Sequence, residues 1–488
     1  MIYIYTDHPE FFNDLGDIVR LFCDTQEVVL AESEPRDGSF LSVSLKICDE
    51  KFKATAIFVN EDKRNEYTHL IDADYNDFLE KKRLIKRAIK LASFYAMKAL
   101  FDTPLPWGAL TGIRPTRLMR DMTLRYGFAE ATRIMREDFC VEQNKLDLVN
   151  LINEIQLPTY EVNPENSIDV YVNIPFCKTK CLFCSFPSAV RTDKTDMDAY
   201  LSALYRDIEH GASLVEKNAY KTRAMYMGGG TPTVLTANEL DRLLKFIKHA
   251  YGNNFSEITV EAGRPDTMDY EKLCVLRDNA VTRISINPQT MNENTLSLIG
   301  RTHSVPDIES AFHMARSFKF LINADIIAGL PGENLFAFKR TLYSVLELNP
   351  DNITVHTLAL KRSSRLVEKL NDYPLPSAKD AMSMLDFAHA KLLTLGYLPY
   401  YMYRQKYMRG NLENVGYAKN GSISLYNIDI MEETTSIIAH GANAMSKRIF
   451  DAERRVERIP NPKDITAYID KLEKTKELKN NLFMRRTV

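Results

Sequence analysis

From residue 168 to residue 360 the chain repeats one pattern: a short β-branched run, a loop, then a stretch with apolar residues at helical spacing. Strand candidates fall at 168–174, 224–227, 258–261, 283–287, 322–327 and 353–358. Helical periodicity occupies 196–216, 237–250, 292–298, 305–317 and 335–347. Six strands alternating with helices predict an α/β fold on a parallel sheet, here a partial (β/α)6 barrel. Such folds carry their reactive groups at the carboxyl ends of strands and in the loops behind them. The chain's most unusual residues fall there.

Cys177, Cys181 and Cys184 follow the first strand with the spacing C-x3-C-x2-C, three of seven cysteines within eight residues. Three thiolates on one tight loop form a metal-ligand set. A structural zinc needs a fourth ligand, and the next candidates, His210 and Cys274, are far along the chain. An iron-sulfur cubane held by three thiolates instead leaves one iron open for a substrate or cofactor. A zinc closed by a remote ligand is the competing reading. After the second strand comes Gly228-Gly229-Gly230-Thr231-Pro232-Thr233. Without Cβ atoms, the backbone there can approach a ligand closely. The loop lacks the G-x-x-x-x-G-K-[ST] pattern, so it is not a nucleotide P-loop.

Charge and cysteine usage exclude several classes. The formal net charge is −2, from 63 basic and 65 acidic residues, which gives no general reason to bind nucleic acid or an anionic membrane. No run of about 18 apolar residues is present, and Met1 to His8 lacks the charged start of a signal peptide. An odd number of cysteines, seven in 488 residues, does not form a disulfide framework, so a cytoplasmic location is expected.

Three regions are expected: a small α+β domain at 1–165, the barrel at 166–362, and an α+β domain at 363–488 covering the substrate. In the first, strands at 2–5, 40–47 and 53–59 precede a helix at 78–100. Its basic face, Lys81, Lys82, Arg83, Lys86 and Arg87, is either an anion patch or a solvated surface. The segment 105–117 holds the only tryptophan, Trp107, in a Gly- and Pro-fixed loop before a helix from about Thr116. Residues 156–166, with Pro158 and Pro164, read as a linker.

Together the cysteine loop, the glycine loop and the strand-end residues resemble the radical SAM superfamily. More closely, Tyr171 to Cys184 and Gly228 to Thr233 resemble the branch containing oxygen-independent coproporphyrinogen III oxidase and the related heme chaperones, and nearly the whole chain resembles HemZ-type coproporphyrinogen dehydrogenases. The resemblance implies a 4Fe-4S cluster on Cys177, Cys181 and Cys184, with S-adenosylmethionine (SAM) on the fourth iron. It implies SAM contacts from Tyr171, Gly229, Gly230, Thr231, Glu261, Gln289, Arg301 and Asp325. Glu and Asp suit ribose hydroxyls, whereas Gln and Arg can donate to the carboxylate. The implied reaction removes two propionate carboxylates of coproporphyrinogen III as CO2 through a 5'-deoxyadenosyl radical. It needs a tetrapyrrole substrate and an external electron donor of flavodoxin or ferredoxin type.

Propionates call for cationic or amide donors, for which Arg404, Lys406, Arg409, Asn411 and Asn414 are candidates. Tyr401, Tyr403 and Tyr407 either pack on the macrocycle or alternate along a strand, and His356 and Lys361 are expected to face the cavity. Asn173 stands where the oxidases usually have His, and Phe186 where they have a further Cys. The chaperones' C-terminal H-N-x-x-Y-W motif is absent. A heme-delivery protein and a radical SAM enzyme acting on another tetrapyrrole, such as heme, are the alternatives.

Overall fold

The computed structural model describes residues 1–23, 27–35, 37–61, 63–112, 114–161, 166–368, 372–406, 408–450 and 455–484. It divides into two compact units, Met1–Asn150 and Leu151–Val488.

The first unit is a mixed sheet with order β2-β1-β3-β4-β5, from β1 (Ile2–Thr6), β2 (Val28–Leu30), β3 (Phe40–Cys48), β4 (Lys51–Asn60) and β5 (Lys63–Asp72). Phe52, Ala54, Ala56 and Phe58 alternate along β4 and are buried. They share a core with Leu15, Ile18 and Val19 of α1 (Phe12–Phe22) and with Leu84, Ala88 and Leu91 of α2 (Phe78–Lys98). Asp77 caps α2 by accepting from the Glu80 amide at 2.7 Å. On the basic face of α2, Arg87 pairs with Asp138 at 2.8 Å and Lys86 with Asp14 at 3.6 Å, while Lys82 and Arg83 are exposed. Trp107 is fully buried, and the turn behind it is fixed by Gly108, whose φ of 50° leaves no room for a Cβ against the Phe139 carbonyl. The helices α3 (Pro115–Tyr126) and α4 (Phe128–Arg133) follow.

The segment expected to be a linker begins as helix. α5 (Gln143–Glu161) runs through Pro158, and residues 162–165 lie outside the described residues. Pro158 gives up one helical hydrogen bond. Tertiary bonds offset it: Gln156 Nε2 donates to the Tyr400 carbonyl at 2.9 Å, and Arg223 Nη2 donates to the Thr159 carbonyl at 3.2 Å.

Residues 151–488 are built on an eleven-stranded sheet among the described residues. Its parallel centre is β6 (Ser167–Ile174), β9 (Lys221–Gly229), β10 (Glu257–Glu261), β11 (Arg283–Ser285), β12 (Leu321–Ala328) and β13 (Asn352–Thr357). These are the six expected strands in the expected order. The two-residue strands β7 (Phe176–Cys177) and β8 (Ala189–Val190) pair beside the cysteine loop. Beyond β13 lie antiparallel β15 (Asn414–Ala418) and β14 (Leu398–Tyr403). Beyond β6 come parallel β16 (Ser436–His440), then β17 (Met445–Phe450) and β18 (Arg455–Pro460). Thus strands on both sides of residue 362 share one sheet.

The crossovers contain α6 (Met197–Lys217), α7 (Ala237–Tyr251), α8 (Tyr270–Asp278), α9 (Glu293–Leu298), α10 (Val305–Arg316) and α11 (Leu335–Glu347). Capping boxes start α7 at Thr236/Glu239 and α10 at Ser304/Asp307. No described helix is long and apolar enough to cross a membrane.

One face of the parallel sheet is polar. Register aligns Tyr171 with Tyr226, Tyr226 with Thr259, Glu261 with Ser285, Ser285 with Asn323, and Asp325 with Thr354. Aligned partners share a face, so these residues form one continuous surface. The intervening Val170, Val172, Met225, Met227, Val260, Ile284, Ile322 and Ile326 are buried on the other. A parallel sheet normally reads as apolar on both faces. Polar groups this deep need partners or a ligand.

Candidate active site

The amino ends of the strands are sealed by the segment after β15. Arg283 donates to the Ile423 carbonyl at 2.9 Å and to the Asn352 side chain, and lies 3.5 Å from Glu257. Glu257 in turn accepts from Ser424 Oγ at 2.7 Å and the Leu425 amide at 3.0 Å. This bonding holds Tyr426 against Tyr226, with ring centres 4.5 Å apart, and against Tyr171 at 6.2 Å. The three rings form a floor.

Above the floor stand two carboxyls. Tyr226 donates to Glu261 Oε1 at 2.6 Å; Asn323 Nδ2 donates to Asp325 Oδ1 at 2.8 Å, with His356 Nε2 at 3.5 Å from Oδ2. Burial, reinforced by the charge of Asp325, pushes the Glu261 carboxyl up to about 7. Burial also opposes ionisation of Asp325, but His356 and Asn323 more than offset it and hold that carboxyl below its ordinary value. At neutral pH Asp325 is a pure acceptor and Glu261 can donate as well as accept.

This difference is measurable on the ligand-free chain. The folded state holds the Glu261 proton above the unfolded value of about 4.3, so the contribution to stability is greatest at low pH and falls as pH rises through 7, by about 3 kcal/mol. In Glu261→Gln the urea midpoint should therefore fall less between pH 5 and 8 than in wild type. Equal slopes would contradict the assignment.

The glycine loop meets the first strand at the rim. A Cβ on Gly229, at φ 108°, would strike the Asn173 amide, and one on Gly230 would strike the Phe176 carbonyl. The Gly230 amide donates to the Ile174 carbonyl at 2.9 Å, and the Thr231 amide to the Phe176 carbonyl at 2.7 Å. Thr231 Oγ1 lies 3.8 Å from Cys177 Sγ. Asn173 joins Tyr171, which donates to its Oδ1 at 2.9 Å, to the Ala442 carbonyl, which accepts from its Nδ2.

Across the rim, Gln289 adopts a left-handed φ of 67°, held by hydrogen bonds of its amide to the Asp325 carbonyl (2.8 Å) and of the Ile327 amide to its own carbonyl (3.0 Å). Gln289 Oε1, Asn287 Oδ1 and Arg301 Nε are buried without a hydrogen-bond partner. Buried amide oxygens and a guanidinium N–H facing no protein partner fit a polar ligand with its own donors and carboxylate.

The cysteine loop is fastened from outside. Leu182 donates its amide to Ile299 O at 2.9 Å and accepts from the Leu366 amide at 3.0 Å. Arg264 donates to Thr179 Oγ1 at 2.6 Å and pairs with Asp266 at 3.0 Å, and Asp266 also meets Lys178 at 3.2 Å. Arg264 and Asp266 were not singled out by sequence reasoning, and no spacing marks them. The three thiols are unbridged and half-buried, and burial pushes those of Cys177 and Cys184 up. No described group of three His, Cys, Asp or Glu side chains stands at single-ion spacing. Three thiolates on one loop are the donor set that a 4Fe-4S cluster takes.

The remaining expected residues lie to the β13–β15 side. Arg404 is 3% exposed and donates to the Asn411 carbonyl at 2.8 Å; Asn414 is buried and accepts from the Thr357 amide at 2.8 Å. Lys406 is exposed, Asn411 is half-buried, and Tyr401 and Tyr403 stack with their planes 8° apart. Tyr403 Oη lies 3.3 Å from His356 Nδ1. Lys361 donates to the Lys406 carbonyl at 3.0 Å. Tyr407 and the Arg409 side chain lie outside the described residues.

The radical SAM superfamily model matches residues 171–342. The oxygen-independent coproporphyrinogen-III oxidase-like protein HemZ of Bacillus subtilis (strain 168) is 35% identical over 469 residues, 94% of this chain and 93% of its own. The chain belongs to the oxygen-independent coproporphyrinogen III oxidase-like branch of the radical SAM superfamily. Its cofactors are those of the superfamily, a 4Fe-4S cluster and SAM. The heme chaperone HemW of Bacillus subtilis (strain 168), in the same branch, is 32% identical over 194 residues, 39% of this chain and 50% of that protein. The solved coproporphyrinogen III oxidase (HemN) from Escherichia coli, a radical SAM enzyme, shares the fold with a TM-score of 0.52 at 24% identity, covering 66% of this chain and 73% of that one.

Proposed function

We propose that this radical SAM protein oxidatively decarboxylates coproporphyrinogen III to protoporphyrinogen IX, with its cluster on Cys177, Cys181 and Cys184. The observation that carries the reading is the similarity to HemZ along 94% of the chain, which takes in the β14–β15 side as well as the barrel. With both bound, the cluster and SAM would supply the radical chemistry that removes a propionate hydrogen.

The chain's residues do the positioning. Asp325 accepts from ribose hydroxyls, and Glu261 accepts or donates beside it. Gln289 and Arg301 donate to the SAM carboxylate, while Gly229, Gly230 and Thr231 let its methionyl group approach the backbone. Tyr171, Tyr226 and Tyr426 close the floor against water. Lys406 and Asn411 meet propionates, with Arg404 shaping their segment from behind.

Anaerobic assays with reductant, SAM and coproporphyrinogen III test the proposal. Mono- and di-decarboxylated porphyrinogens should appear together with 5'-deoxyadenosine. SAM cleavage that leaves coproporphyrinogen untouched would move the substrate to another tetrapyrrole. Stable heme binding without SAM turnover would favour heme delivery, the reading that the HemW match supports.

A further inference from the structure

Three segments meet on the outer side of the cysteine loop. Arg365 donates to the Lys180 carbonyl, Ser363 Oγ donates to the Ser185 carbonyl at 3.2 Å, and Lys361 donates to the Lys406 carbonyl at 3.0 Å. A bridge between Ala359 and Met408 completes the seam. Residues 177–187, 359–367 and 405–411 contain no Asp or Glu, in a chain whose formal net charge is −2. They carry Lys178, Lys180, Lys361, Arg362, Arg365, Lys406 and Arg409. Asp266, from outside these segments, pairs with Lys178. Burial pulls the Lys361 ammonium below its ordinary value, and the charge of Lys406 adds to this. Phe186, which follows the Ser185 held by Ser363, is 63% exposed, and Arg362 and Arg365 on the segment of Ser363 are exposed too.

An exposed aromatic ring amid same-sign charges is an interaction surface of defined complementarity. We propose that the rim formed by Lys180, Phe186, Arg362 and Arg365 docks an acidic one-electron carrier protein against the outer face of the cysteine loop. The inference rests on the cluster assignment above. The carrier gives up one electron per SAM cleaved and is left one electron more oxidised; no atom is transferred. Phe186 supplies the dry contact, and the cations steer and orient the carrier's carboxylates. Such steering weakens with salt.

The test uses the full-length reconstituted protein, with reduced flavodoxin or dithionite as electron source, and two variants, Arg362→Gln and Phe186→Ser with Arg362→Glu. Flavodoxin binding, titrated directly at low and high salt, should weaken ~tenfold in the double variant, less in Arg362→Gln, and with salt in wild type. SAM cleavage with dithionite should stay within about twofold of wild type, since a small reductant needs no docking. Unchanged or salt-insensitive flavodoxin binding would overturn the inference. So would a raised KM for coproporphyrinogen with flavodoxin binding intact, because the rim would then receive substrate carboxylates. Absence of SAM cleavage with dithionite in wild type would instead remove the cluster reading, and the docking inference with it.

Discussion

Cys181→Ala is expected to lose bound iron and sulfide, and with them all SAM cleavage, while the apoprotein folds normally. A three-thiolate site has no spare ligand, and no fourth cysteine lies in the loop. The loop's path does not depend on the missing sulfur. It is held by the Leu182 amide on Ile299, the Leu366 amide on Leu182 and Arg365 on the Lys180 carbonyl. Apoprotein stability should therefore change by no more than about 1 kcal/mol. Iron and sulfide analysis after reconstitution, with visible absorption, checks this. A variant retaining the wild-type spectrum would refute the ligand assignment.

Asp207→Ala should produce the largest loss of stability, about 3–5 kcal/mol, because it leaves a buried ammonium without its counter-charge. Asp207 and Lys479 are both fully buried and lie 2.6 Å apart. Asp207 also accepts from Tyr468 at 2.9 Å and the Gly441 amide at 3.2 Å, and His440 lies 3.3 Å away. Burial opposes its ionisation, yet Lys479 and His440 hold its carboxyl well below the usual range. The network ties helix Leu472–Phe483 to α6 and fixes Gly441-Ala442, whose carbonyl at Ala442 anchors Asn173 beside Gly229. Urea unfolding should show the loss, and the SAM Kd should rise along with it. A change below 1 kcal/mol would mean that the network adds little.

The sequence revealed the six strands, their order and the cysteine and glycine loops, because each rests on local patterning or spacing. The polar face was partly visible too: Ile168-Asp169-Val170-Tyr171-Val172-Asn173-Ile174 alternates with period two, although it reads first as a β-branched run. Long-range pairings left no such trace. Tyr426 reaches the floor through Glu257 and Arg283, and Arg264 with Asp266 grips the cysteine loop from a different strand end. The helix through Pro158 is not legible in the local sequence because contacts of Gln156 and Thr159 with distant strands override proline's local preference. α8 buries only Leu273 and Leu276, too few apolar positions to stand out by periodicity.

A cluster held by three thiolates leaves one iron for SAM. Electron paramagnetic resonance of the anaerobically reduced protein tests it most directly. A reduced-cluster signal should appear, shift when SAM is added and be absent in Cys181→Ala. A signal unaffected by SAM, or zinc in place of iron, would contradict it.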